Sequence, residues 1–173
     1  FIHLHMQTDG QQKIINQKEG IMLGSFKKIF DGSKREESAE DREFKLKVAT
    51  SVILLEAATA DSHFSQEEQD KIVEILKSRF QMDDGSVKEL IDESKQERKE
   101  STDLWYFTNL INDNLDNEEK YNLMEEVWEV IYSDGTLDKF ENYIAHKLLN
   151  MLNLDHSKFI ELKMKVKSET QAS

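Results

Sequence analysis

Two short acidic stretches, Asp61-Ser-His-Phe-Ser-Gln-Glu-Glu68 and Asp134-Gly-Thr-Leu-Asp-Lys-Phe-Glu141, share one pattern: an aspartate, then a glutamate seven residues on. Carboxylate oxygens are hard ligands that suit Ca²⁺, Mg²⁺ or Mn²⁺ better than soft-ligand metals. Gathered in one place, Asp61, Glu68, Asp134 and Glu141 would set four negative charges together, which calls for a divalent cation or for raised pKa values. A local reading competes. Ser65 and Asp138 each stand three residues before a glutamate, the capping-box spacing, so Glu68 and Glu141 have a role at helix starts without any ion. Asp61 and Asp134 follow helical stretches, where a negative charge opposes the helix dipole by roughly 0.3–1 kcal/mol. Aspartate before glycine is also ordinary turn chemistry. Residue types leave both readings open, an ion site or plain turns and caps.

Neither turn is an EF-hand, whose loop needs glycine at its sixth position and glutamate at its twelfth. Counting from Asp61 gives Gln66 and Ile72, and counting from Asp134 puts Ala145 at the twelfth. Other candidates carry less. Asp155-His156-Ser157 holds the residue types of a catalytic triad, but adjacent residues do not reach triad geometry, and a helix start explains them. His146 falls on a partly apolar face, opposite Val73 in the repeat described below, and reads as structural. His63 lies in an acidic turn and reads as exposed. His3 and His5 could weakly capture a transition metal. Glu56 and Glu129 interrupt otherwise apolar stretches, so they either face the acidic turns or reach solvent. Trp105, Tyr106 and Phe107 form either a binding patch or, more commonly, part of a core. No P-loop, GxSxG, HExxH or dinucleotide fingerprint is present, and nothing organises a nucleophile with a base, so the expectation is a protein that is not an enzyme.

Composition narrows the class. The 173 residues carry 23 basic and 35 acidic side chains, a formal net charge of -12 that argues against nucleic acid as a partner. With no cysteine, disulfides and thiolate metal sites are excluded. No apolar run approaches the roughly 20 residues of a membrane span and no signal-peptide pattern opens the sequence, so a cytoplasmic location is expected.

The elements that must position these residues are helical. Residues 1–21 lack periodicity and read as a tag or an extension ahead of Met22. Residues 22–43 read as a short amphipathic segment (Phe26, Ile29, Phe30), with a marginal capacity for membrane-surface contact, and then a charged linker. From residue 44 the spacing predicts a buried helix to residue 60, with Phe44, Val48, Val52 and Leu55 on one face. Ser65/Glu68, Ser86/Glu89 and Asp138/Glu141 mark further helix starts, and helices are expected over 103–115, 118–133 and 157–167. No β alternation competes and proline is absent. The expectation is an all-α bundle of about seven helices over residues 44–167.

The bundle is built from two similar halves, about 44–93 and 117–166. Sliding the sequence along itself until Asp61 falls on Asp134 also brings Glu56 onto Glu129, Glu68 onto Glu141 and Leu76 onto Leu149. After a one-residue slip, Phe80, Met82 and Asp83 fall on Leu152, Leu154 and Asp155. Halves packed about a pseudo-twofold axis would bring the acidic turns together.

With these residues in hand, the turns Ala60-Asp61-Ser62 through Glu68 and Ser133-Asp134-Gly135 through Glu141 resemble the paired A-D-G-x₅-E turns of the tellurite-resistance protein B (TerB)-like family. Asp103-Leu-Trp-Tyr-Phe-Thr108 and Trp128 through Gly135 resemble an uncharacterised bacterial branch of it. The resemblance covers about residues 22–167. It implies an all-helical bundle whose acidic residues hold a metal ion, and it links the chain to tellurite resistance and stress response. The first turn departs from the pattern, with Ser62 where the second has Gly135. The alternative is a helical adaptor that docks an unknown protein partner and binds no metal.

Overall fold

A computed structural model describes residues 36–173, and the expectations for residues 1–21 and for the amphipathic segment lie outside them. The chain divides into two units at Arg42/Glu43. The candidate site residues Asp61, Glu68, Asp134 and Glu141 all fall in the unit Glu43–Ser173. Among the described residues there are seven α-helices and no strand, as the helical periodicity predicts.

Helix α1 (Ala39–Ala58) begins with a reciprocal cap. The Ser38 N–H donates to the Asp41 carboxylate and the Asp41 N–H to the Ser38 hydroxyl, both at 3.0 Å. From Val48 onward nearly every residue is buried, with Val48, Val52, Ile53, Leu54 and Ala57 fully so. A helix apolar on all sides is a central one. Each large side chain removed from water there contributes roughly 1.5–3 kcal/mol.

Helices α2 (Gln66–Phe80) and α3 (Asp84–Glu100) pack against each other, and α2 also packs against α5 (Asn117–Tyr132). Between them α4 (Trp105–Asn114) leads across to α6 (Lys139–Met151), and α7 (His156–Ala172) runs along α5. Trp128 of α5 and Phe159 of α7, both fully buried, hold that seam with ring centroids 5.1 Å apart. A bidentate ion pair joins α2 to α5, with Arg79 Nε 3.1 Å from Glu126 Oε1 and Nη2 2.9 Å from Oε2.

Several expectations shift. The cap of α3 is Asp83, whose side chain accepts from the Ser86 N–H, so Ser86 lies inside the helix instead of starting it. Its carboxylate sits at the earlier position because the preceding turn puts Gln81 in the left-handed region, φ 54°, and reverses the chain sooner. The last helix runs to Ala172, and α1 stops at Ala58. A further capping box, Asp116 with Glu119, starts α5. The aromatic run splits by helix face: Phe107 is buried, whereas Trp105 is 64% exposed.

The doubled pattern is visible in the backbone. The Ser62 N–H donates to the Thr59 carbonyl at 3.1 Å, and at the equivalent place in the second half the Gly135 N–H donates to the Tyr132 carbonyl at 2.9 Å. Ser62 adopts φ 65° where Gly135 adopts 82°, so the serine takes up the left-handed conformation that its counterpart reaches at no steric cost. Past the slip, Gln81 and Asn153 are left-handed alike (φ 54° and 55°). The Met82 N–H to the Lys77 carbonyl and the Leu154 N–H to the Leu149 carbonyl close equivalent helix ends.

Candidate metal centre

Each acidic turn is folded by its own side chains. The Asp61 carboxylate accepts from the His63 N–H at 2.8 Å, and the Asp134 carboxylate accepts from the Thr136 N–H at 2.9 Å and its hydroxyl at 3.0 Å. These Asx turns aim the chain into α2 and α6, and a capping box closes each start. Glu68 Oε2 accepts from the Ser65 N–H (2.8 Å) and hydroxyl (2.9 Å), while Glu141 Oε2 accepts from the Asp138 N–H at 2.8 Å.

Capping occupies one oxygen of each glutamate. The other oxygen of Glu68, Oε1, is buried and accepts no hydrogen bond. Leaving such an atom dry and unpartnered is costly, and charge makes it more so. The Glu68 side chain also belongs to a carboxylate cluster: one oxygen each from Glu68, Asp134 and Glu141 lie within 4.8 Å of one another. Glu68 and Glu141 are 1% and 2% exposed, and Asp134 borders solvent. The fold thus brings together acidic groups from opposite halves of the sequence.

Asp61 is not a member of this closest trio, yet its charge acts on both buried glutamates. Burial is the main force raising the pKa of Glu68, opposed by its bonds to Ser65 and augmented by Asp134 and Asp61. The same environment pushes Glu141 from 4.5 to about 7: burial first, then the charges of Glu68, Asp134 and Asp61, against the Asp138 hydrogen bond. Desolvation and mutual repulsion among carboxylates produce both shifts. All-oxygen donors and an orphaned buried oxygen fit a hard divalent ion.

The matching glutamates one helix back diverge. Glu56 pairs with Arg98 (Nε to Oε1, 2.5 Å), which counters its charge. Glu129 lines a groove of about 590 Å³ with Glu67, Asp70, Glu74 and Glu169, where burial raises its pKa in spite of Lys71. His63 is exposed, as expected. The Asp155 carboxylate caps α7 by accepting from Ser157 and Lys158, a structural role.

The paired Asx turns, matched capping boxes and left-handed residues form one unit used twice, and residues 47–164 match the family described as Tellurite resistance protein TerB. The chain belongs to the TerB family. The match takes in both acidic turns of this TerB-family chain and all of α2 to α6. A crystal structure of a protein of unknown function from Porphyromonas gingivalis W83 shares the fold at 18% identity and TM-score 0.55, over 72% of this chain and 95% of that one. No curated protein matches the chain.

The sequence pattern pointed to the four carboxylates but could not divide their oxygens between capping and the cluster. A capping-box glutamate with a buried second oxygen is spelled like one that faces water. What separates them is the opposing half of the fold.

Proposed function

We propose that this TerB-family protein binds a divalent cation, Ca²⁺, Mg²⁺ or Mn²⁺, between its two acidic turns, and that it acts as a binding module and not as an enzyme. Two observations carry this reading: a carboxylate oxygen from each of Glu68, Asp134 and Glu141 lies within 4.8 Å of the others, and Glu68 Oε1 is buried without a hydrogen-bond partner. Glu68, Asp134 and Glu141 would supply the nearest oxygens. Asp61 would complete the shell directly or through water. A bound cation would supply positive charge where the fold has desolvated carboxylates, and tie α2 to the α5–α6 turn across the two halves. The family description names tellurite resistance, and a role for this chain in tellurite or general stress response is part of the proposal.

A thermal melt at a pH near neutrality, first in EDTA and then in millimolar Ca²⁺, Mg²⁺ or Mn²⁺, tests the reading. An ion that binds only the folded state stabilises by about 2.7 kcal/mol at a hundredfold excess over Kd, an upward shift in Tm of roughly 8 °C for a domain of this size. The paired change Asp61→Asn and Asp134→Asn should abolish the shift. An unchanged ion response in that double variant, or no response in the parent, contradicts the assignment.

A second reading, a helical adaptor, is favoured by Phe140 and Tyr143, 50% and 66% exposed one turn apart at the start of α6. Aromatic side chains left in water beside a functional turn suit a protein partner. The two readings are compatible if the cation sets the turn that carries Phe140.

A further inference from the structure

Away from the carboxylates, two histidines meet across the turn between α6 and α7. His146 is half-buried on α6 and His156 is the exposed first residue of α7. Their ring centroids lie 5.6 Å apart with planes 42° from parallel, and the His146 ring also packs edge-on against Phe159 at 5.0 Å. The turn between them is fixed by the buried Leu152, by Asn153 at φ 55° and by the Asp155 cap.

The His146 tautomer follows from its partner. Nδ1 lies 2.8 Å from the main-chain carbonyl of Asn142, and a carbonyl can only accept, so Nδ1 carries the proton. In the neutral ring the lone pair is then on Nε2. A metal-bound histidine is commonly oriented in this way, one nitrogen donating to a backbone carbonyl and the other ligating. His156 makes no hydrogen bond among the described residues, which leaves both its nitrogens available.

The 5.6 Å separation comes within about 0.1 Å of what a shared ion needs. Two imidazoles on one ion, each nitrogen roughly 2.0–2.1 Å from it at an angle between tetrahedral and trigonal, have ring centroids roughly 5–5.5 Å apart. We propose that His146 and His156 form a second metal site, selective for borderline ions such as Zn²⁺, Ni²⁺ or Cu²⁺, with water filling the remaining positions. Its nitrogen donors set it apart from the oxygen-lined centre, and it stands or falls independently of that reading. Lys163, whose ammonium is 2.9 Å from the side-chain oxygen of Asn142, the residue whose carbonyl holds His146, places positive charge nearby and keeps the affinity moderate. Such an ion would pin the start of α7 to α6.

The test uses the full chain carrying His3→Ala and His5→Ala, so that those two imidazoles contribute nothing, and Asp61→Asn with Asp134→Asn, so that the carboxylate centre is silenced. ZnCl₂ is titrated by calorimetry. In parallel, substoichiometric Cu²⁺ is added while the histidine ring resonances are followed by NMR. The expected result is one Zn²⁺ per chain, at least tenfold weaker binding in His156→Ala, and selective broadening of His146 and His156. Because His156 is exposed, its alanine variant should fold with an unchanged circular dichroism spectrum. Unchanged zinc affinity in both His156→Ala and His146→Gln, or copper broadening that falls first on His63, overturns the proposal.

Discussion

Raising the pH through neutrality in EDTA should weaken this fold, and Glu141 is the reason. The residue is 2% exposed, and burial with three neighbouring acidic groups lifts its pKa from 4.5 to about 7. Below pH 4.5 the folded and unfolded states both hold the proton, and its contribution to stability is fully present. Between 4.5 and about 7 the unfolded chain has lost the proton and the folded state keeps it, so stability falls as pH rises. At about 1.4 kcal/mol per tenfold change in proton affinity, that interval corresponds to about 3 kcal/mol lost once the pH has passed the folded-state value. Glu68, raised for the same reason, adds to the loss. Glu141→Gln isolates the effect, because a glutamine oxygen can still accept from the Asp138 N–H at the cap. Urea unfolding of the parent and the variant at a series of pH values from mildly acidic to mildly alkaline, in EDTA, gives the difference directly. Across that series the variant should gain about 3 kcal/mol on the parent, and millimolar Mn²⁺ should restore the parent above neutrality. A difference between the two proteins that stays level across the series would refute the reasoning, since Glu141 would then ionise as freely in the fold as out of it.

Three further positions probe the scaffold. Ser62 holds a left-handed conformation that costs a residue with a Cβ roughly 1–2 kcal/mol, so Ser62→Gly should stabilise by about 0.5–1 kcal/mol once glycine's extra chain entropy is subtracted. Gly135→Ala, at φ 82° with open space around the added carbon, should cost about 1 kcal/mol; thermal melts in EDTA check both. Arg79→Ala should cost about 3 kcal/mol in urea unfolding, because burial already raises the pKa of Glu126 and the guanidinium is its counter-charge. A loss of about 1 kcal/mol or less, the worth of an exposed ion pair, would mean that this pair is solvated.

The helices were legible because their signals are local. Apolar residues recur at helical spacing, and Ser65/Glu68 and Asp138/Glu141 announce helix starts within a single turn of chain. The repeat was legible too, since Asp61 and Asp134 stand at matching places in the two halves with their caps in step. Boundaries were less so: Ser86 looks like a cap in sequence, but the left-handed Gln81 turns the chain early and gives that role to Asp83. The site was half-written. Which glutamate oxygen is buried, and which charges press on Glu141, depends on how the halves pack, and no local pattern encodes that. The pairing of His146 with His156 was equally hidden, because a whole turn separates two histidines that each look incidental.

Crystals grown in MnCl₂ and recorded at a wavelength where manganese scatters anomalously would test the account most directly. A peak roughly 2.1–2.6 Å from Glu68 Oε1 and within coordination distance of Asp134 and Glu141 is the expected result. Strong manganese peaks only elsewhere, with no density among the carboxylates of Glu68, Asp134 and Glu141, would contradict it.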